Sequence, residues 1–176
     1  MLKWNKMTMT QYRNNIDPKD IKEIFNYTNN ELYWKTQPGS VKVYKPAGYI
    51  NNHNGGYRVI RINNVEYLAH RLIWCYHYGT WPTLTIDHKD NNRSNNNIDN
   101  LREATFSEQR HNSKLRNDNT SGVKGISWHK SDKKWRANIT INKKQIYIGS
   151  FSTIEEAEVK ITAAREILHK KFANHG

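Results

Sequence analysis

Asp87 and His88 stand side by side in the stretch 84–88 (LTIDH), ahead of an asparagine-rich polar loop at 89–97 and a second short apolar stretch that begins at Leu101. A carboxylate is the ligand that a hard divalent cation such as magnesium prefers. A neutral imidazole, with an ordinary pKa of about 6.5, takes a proton from water at neutral pH. Hydrolysis of a phosphodiester needs both functions: a base to make the nucleophile, and a cation to stabilise the scissile phosphate and the leaving oxygen. Neighbouring side chains on a regular strand point to opposite faces, so these two meet at one site only where the strand ends and the next element packs across it. The pair by itself is a weak signal of function and reads as a hydrogen-bonded loop anchor.

The elements around the pair follow from local pattern. Residues 84–88 read as a strand, 89–97 as a loop, and 101–105 as a second strand. Thr105-x-x-Glu108 is a capping box that opens a helix. Upstream, Asp17-Pro18-Lys19-Asp20 starts a short amphipathic helix through Ile21, Ile24 and Phe25. Residues 31–35 (ELYWK) form a strand, and 36–56, rich in Gly, Asn and Pro, a loop with one short strand. Residues 57–62 and 65–68 flank Asn63-Asn64, a pair that accepts the positive φ of a tight hairpin turn. A helix over 69–78 carries Leu72, Ile73 and Tyr76 and stops at Gly79. His70 and His77, two turns apart on it, are too distant for a paired metal site and read as packed or hydrogen-bonded. Most of the asparagines in 91–97 (NNRSNNN) read as turn and loop-bracing residues.

Residues 117–122 (NDNTSG) hold no apolar side chain and are taken as a linker between domains at 1–116 and 123–176. Beyond it, 125–129, 134–142 and 145–149 read as three strands. In the middle one Trp135, Ala137, Ile139 and Ile141 alternate with Arg136, Asn138 and Thr140. A last helix starts at Thr153-x-x-Glu156, with Ile154, Ala157, Ile161, Ala164 and Leu168 along one stripe. A three-stranded sheet with a helix on one face leaves the other face bare, and that face is polar and basic. Trp128 and Trp135 are expected in the core.

Composition narrows the partners. The chain of 176 residues carries 28 Lys or Arg against 16 Asp or Glu, a formal charge of +12. That length suits one or two domains of roughly 100–150 residues. Between 112 and 150, nine basic side chains face only Asp118 and Asp132, so much of the excess is one localised footprint and points to a polyanion. Apolar residues make up 36% and mean hydropathy is −0.96, so the core is lean and relies on six Trp and ten Tyr. No apolar run approaches the ~18 residues of a membrane span. The first ten residues lack the apolar centre of a signal peptide. With the single Cys75 neither a disulfide nor a cysteine-based structural zinc site is expected. The expectation is an intracellular protein of the cytoplasm with no membrane partner and no small-molecule substrate.

Ile86-Asp87-His88, the Asn-rich loop with Asn96, then Asn100-Leu101-Arg102 and the helix from Thr105 together resemble the HNH endonuclease family, and more narrowly its phage and intron-encoded homing branch. ELYWK, Gly55-Gly56-Tyr57, Ala69-His70-Arg71-Leu72 and Gly79-x-Trp81-Pro82 are similar to that branch as well, so the resemblance spans about residues 17–117. It implies a beta-beta-alpha-metal core at about 84–116 that cuts DNA. By correspondence His88 is the general base, Asp87 a metal ligand, and Asn100 the residue that orients the base by accepting from its ring N–H. The family's last position, usually Asn or His, supplies a second ligand to magnesium, with manganese as the alternative. Here it falls on Gln109, one methylene longer, and Asn112 is the substitute that shares its helical face.

Residues 121–174 resemble the ethylene-responsive-factor (APETALA-type) DNA-binding domain through Ser121-Gly122-Val123-Lys124-Gly125-Ile126, Trp135-Arg136-Ala137-x-Ile139, Tyr147-Ile148-Gly149-x-Phe151 and Thr153-x-Glu155-Glu156-Ala157. That family lays its three-stranded sheet in the major groove. The implied base-facing set is Ser127, His129, Arg136, Asn138, Thr140, Gln145 and Tyr147. Lys124, Lys130, Lys133, Lys143 and Lys144 are suited to phosphates. The sequence thus describes an α+β chain: an HNH nuclease domain, then a three-stranded antiparallel sheet packed on one C-terminal helix. The expected activity is metal-dependent, site-specific nicking of double-stranded DNA by a monomer, encoded by a phage. The alternatives are an inactive sequence-specific DNA binder on the same fold and an RNA partner.

Overall fold

A computed structural model describes residues 16–36 and 44–176. The chain divides into two compact units, one ending at Glu103 and the other starting at Ala104.

In the first unit Asp17 accepts a hydrogen bond from the Lys19 N–H at 2.9 Å, and Pro18 opens a 3-10 turn that runs into helix α1 (Ile21–Ile24). Phe25 is not helical, in contrast to the expectation. It begins strand β1 (Phe25–Thr28), which pairs antiparallel with β2 (Glu31–Trp34). Asn29 and Asn30 supply the reason: both adopt positive φ, 51° and 63°, and close a two-residue hairpin that brings the Phe25 ring within 4.5 Å of Trp34. Strands β3 (Tyr49–Asn51), β4 (Tyr57–Ile62) and β5 (Val65–Leu68) form an antiparallel sheet in that order, with Asn63 and Asn64 again at positive φ between the last two. Helix α2 (Ala69–Tyr78) follows and ends at Gly79, whose φ of 70° lets its N–H reach the Cys75 carbonyl at 2.8 Å. Ile21, Phe25, Leu32, Ile60, Leu72, Ile73, Ile86 and Leu101 share one core. That core takes in one residue from each strand of the pair β6 (Thr85–His88) and β7 (Leu101–Ala104), so the segment bearing Asp87 and His88 is anchored at both ends.

The second unit opens with the capping box. Thr105 Oγ1 accepts from the Glu108 N–H, Glu108 Oε2 accepts from the Thr105 N–H, and helix α3 (Phe106–His111) follows. Strands β8 (Ile126–His129), β9 (Lys134–Ile141) and β10 (Lys144–Phe151) form an antiparallel sheet in the order β10-β9-β8. Helix α4 (Ile154–His169) packs on it over Ile126, Ala137, Ile139, Ala157 and Ile161. The buried line of α4 departs from the expected stripe. It continues from Ala157 and Ile161 to Arg165 and His169 in steps of four, and Leu168 is exposed.

The division after Glu103 lies ahead of the linker expected at 117–122 and assigns α3 to the C-terminal unit. Lys124 Nζ donates to the carbonyls of His111 and Ser113, and Asn174 Nδ2 donates to the Asn112 carbonyl at 3.0 Å, which ties α3 to that unit. Residues 117–122 form a bonded turn. Asn119 Oδ1 accepts from the Gly122 N–H at 2.7 Å, and the Ser121 hydroxyl lies on the carbonyls of Val123 and Ile126. Among the described residues no helix is long and apolar enough to cross a membrane.

Candidate active site and nucleic-acid interface

Asp87 and His88 end β6, and both are buried. Asp87 turns to the neighbouring strand, where Arg102 Nε and Nη2 each donate to its Oδ2 at 2.9 Å. His88 turns to the loop, where its Nε2 lies 3.3 Å from Asn96 Oδ1. With the amide oxygen accepting, the imidazole proton sits on Nε2 and the basic lone pair on Nδ1. Burial pushes the His88 pKa below the ordinary imidazole value, while the Asn96 bond and the charges of Asp90 and Asp87 pull it back up. The result is a neutral ring at physiological pH, the form a general base requires.

His70, on α2, packs its ring edge-on at 5.2 Å from His88, and Tyr57 lies 6.0 Å away on another side. Burial, then the neighbouring His88 and Arg71, hold the His70 pKa well below its usual range, so it stays neutral and supplies packing. The packed reading of His70 is therefore matched. His77 is exposed and sets its ring edge against Tyr27 at 4.6 Å.

Asn100 stands elsewhere than the family correspondence placed it. Its Nδ2 donates to Asp90 Oδ1 at 2.9 Å and to the Asn95 carbonyl at 2.8 Å, and its Oδ1 accepts from the Asp90 N–H. Asn100 thus closes the 90–100 loop, and the amide brought to His88 is that of Asn96. Only tertiary placement distinguishes two asparagines of one loop. Asp90 is the hub of that loop, accepting also from the Asn92 N–H and Asn95 Nδ2. Burial opposes its ionisation, but the Asn95, Asn92 and Asn100 bonds prevail and hold its carboxyl below the usual range. The Tyr27 hydroxyl accepts from the Ile98 N–H, and Arg93 donates to the Gly55 carbonyl while lying 4.9 Å over the Tyr57 ring. Asn96 is thereby fixed from both sides.

Arg102 is the partner of Asp87 that residue-by-residue reading missed. Its signal was present as a cation two residues after Asn100, but nothing in the spacing pairs it with Asp87. Among the described residues no three His, Cys, Asp or Glu side chains gather as a metal-binding group. The buried Asp87 carboxylate is a hard oxygen donor and fits a hard cation as one ligand, the others then being amide, water or phosphate oxygens. Gln109 and Asn112 lie on or at the end of α3 in the other unit, and Asn112 accepts from Asn174 Nδ2 through both its carbonyl and its Oδ1.

In the sheet of the second unit, register puts Ser127 opposite Arg136 and Arg136 opposite Ser150, with Asn138 opposite Tyr147 and Thr140 opposite Gln145. These side chains share the face away from α4, the face expected from alternation. His129 follows in the same row, and Lys130, Lys143 and Lys144 stand exposed at the strand ends. Asp132 takes an ion pair from Arg136, and His129 Nδ1 lies 3.1 Å from Asp132 Oδ2. Trp135 packs on the core as expected, but Trp128 is 45% exposed and rests edge-on against Trp135, because β8 is the sheet's edge strand.

The HNH endonuclease family model matches residues 67–111, a stretch that holds in chain order the strand ending in Asp-His, the bonded loop and the capped helix. Such a domain implies DNA as substrate, and HNH nucleases in general use a divalent metal. Protein 3.8 of Escherichia phage T7 is 41% identical over 105 residues, covering 59% of this chain and 86% of that protein. The chain belongs to the same family as this phage protein and carries an HNH endonuclease domain. No solved structure matches it.

Proposed function

We propose that the chain is a site-specific, metal-dependent DNA endonuclease of homing type that nicks one strand as a monomer. Its C-terminal sheet, an ethylene-responsive-factor-like module, reads the major groove. The observation that carries the cleavage reading is His88: buried, neutral, and oriented through Nε2 by Asn96 beside the Asp87 carboxylate. In the mechanism His88 Nδ1 takes the proton of the attacking water, and Asn96 holds the ring by accepting from Nε2–H as positive charge develops on it. Asp87 would hold the metal, and the family correspondence assigns the second ligand to Gln109. Asn112 is the weaker alternative, since its Oδ1 already accepts from Asn174. When bound, the metal polarises the scissile phosphate and stabilises the leaving oxygen. Arg102 keeps Asp87 aimed and paired. One such centre per chain gives one cut strand.

Supercoiled plasmids carrying phage genomic DNA, incubated with magnesium, manganese or EDTA, test this. Discrete nicked products that need metal and vanish in His88→Ala are expected, and Asn96→Ala should slow nicking by about 10- to 100-fold. Unchanged cleavage by His88→Ala would sink the mechanism. The second reading, a binder without activity, is favoured by one observation, Gln109 in place of the family's Asn or His. It predicts site-selective binding with no product under either metal.

A further inference from the structure

The C-terminal unit contains a cavity of about 660 Å³ that adjoins the sheet through Asn138, Thr140 and Lys143 and that the cleavage reading does not account for. Its lining includes Phe106, Arg110, Lys124, Lys143, Arg165 and His169, and no carboxylate. Residues 106 and 110 are four apart on α3, as are 107 and 111, so one side of this helix faces the cavity. Gln109 and Asn112 fall toward the opposite side of the helix. The two faces of α3 are therefore separable by mutation.

Several cationic groups lie close together here, and no carboxylate is among the residues that line the cavity. Arg165 is 2% exposed and spends its donors on the Lys124 carbonyl and His175 Nδ1. Lys124 points its ammonium at the carbonyls of His111, Ser113 and Asn174, and burial followed by Arg165 brings its pKa down to about 8. The rings of His111 and His169 stack at 3.7 Å, nearly parallel. The Thr140 carbonyl faces both rings, yet neither nitrogen of His169, which is 92% buried, makes a well-aligned hydrogen bond. At the mouth stand two exposed cations, Arg110 and Lys143, and the 64% exposed ring of Phe106. A positive mouth, an aromatic face and largely apolar walls are complementary to a nucleotide, whose phosphate meets the cations while its base stacks on the ring.

We propose that this cavity binds one phosphate-bearing nucleotide, held by Arg110 and Lys143 with its base against Phe106, and that the nucleotide belongs to the DNA strand the protein engages. The inference rests on the reading of the chain as a DNA-binding protein.

The test uses the full chain and a fluorescent 20-base-pair duplex, titrated across a range of salt. Arg110→Gln should lower the slope of log affinity against log salt by about 0.9, the value of one phosphate contact. A strand substituted with 5-iododeoxyuridine should photo-crosslink at Phe106, and Phe106→Ala should abolish that adduct. Thymidine monophosphate, titrated separately, distinguishes a free nucleotide. If it binds in an Arg110-dependent way while the duplex slope is unchanged, the nucleotide site stands and the strand assignment falls. An unchanged slope with no Phe106 adduct and no thymidine monophosphate binding overturns the proposal. Arg136→Ala runs alongside. If it loses site preference while Arg110→Gln changes nothing, the cavity inference fails and the sheet reading survives. If neither variant changes binding, both fail.

Discussion

Arg102 directs two hydrogen bonds at one oxygen of Asp87, and both side chains are nearly buried, at 13% and 10% exposed. Such a pair contributes modestly when whole, but removing one partner strands a charge in a low-dielectric setting. Arg102→Met is expected to lower stability by about 3 kcal/mol in urea unfolding. The double variant Asp87→Asn, Arg102→Met should recover much of that loss, since no ionised carboxylate is left unpaired. Additive losses would mean that the two residues do not act as a pair. His88 presents the complementary case: its bond to the Asn96 amide orients the ring without placing a fixed charge against it, so the imidazole remains able to accept a proton.

At the scale of elements, α3 and α4 meet through imidazoles in place of aliphatic side chains. His111 closes α3, His169 closes α4, and their stacked rings lie against the end of β9. Burial, then His111, with Arg165 and Lys124 nearby, brings the His169 pKa down to about 4 from 6.5. The sign follows from proton counts: between those two values the unfolded chain binds a proton that the native unit refuses, so stability is full above pH 6.5 and falls as pH drops toward 4. The thermal midpoint of the C-terminal unit, followed by tryptophan fluorescence, should decline over that window. His169→Leu should flatten the decline. An unaltered pH profile in the variant would show that His169 does not carry the effect.

For the whole molecule, the charge of +12 is concentrated where the sheet lies, and the lysines around that sheet differ in kind from the residues on its face. Lys130, Lys143 and Lys144 stand at the strand ends, whereas Arg136 lies centrally between Ser127 and Ser150 and is held by Asp132. Phosphate contacts set affinity and salt dependence, and base contacts set preference. Replacing Lys130 or Lys144 by Ala should therefore weaken binding to all sequences alike and lower the salt slope by about 0.9 each. Arg136→Ala should relax preference at one position by about 1–3 kcal/mol. Binding selections on randomised duplexes at two salt concentrations separate the two behaviours, and a lysine variant with altered base preference would contradict the division.

What the sequence by itself determined about this protein is what short-range stereochemistry controls. Asparagine pairs 63–64 and the glycine at 79 marked their turns because positive φ is open to those residues, Thr105 and Glu108 marked a helix start because they cap it, and alternation sorted Arg136, Asn138 and Thr140 onto one face. That Asp87 and His88 are the candidates for chemistry was legible from residue type and neighbours in the chain. Partners across the fold were not. Asn96 and Asn100 are the same residue in one loop, and only the bracing by Tyr27, Asp90 and Arg93 decides which amide reaches the imidazole. Arg165 and His169 lie off the apolar stripe expected on α4, yet the packing of α3 and the chain terminus buries them, since hydrophobic pattern says nothing about a polar group whose partners arrive from elsewhere in the chain. Phe25 left its helix for the same reason: the pairing with Trp34, a contact across a hairpin, outweighed the helical spacing that local pattern had suggested.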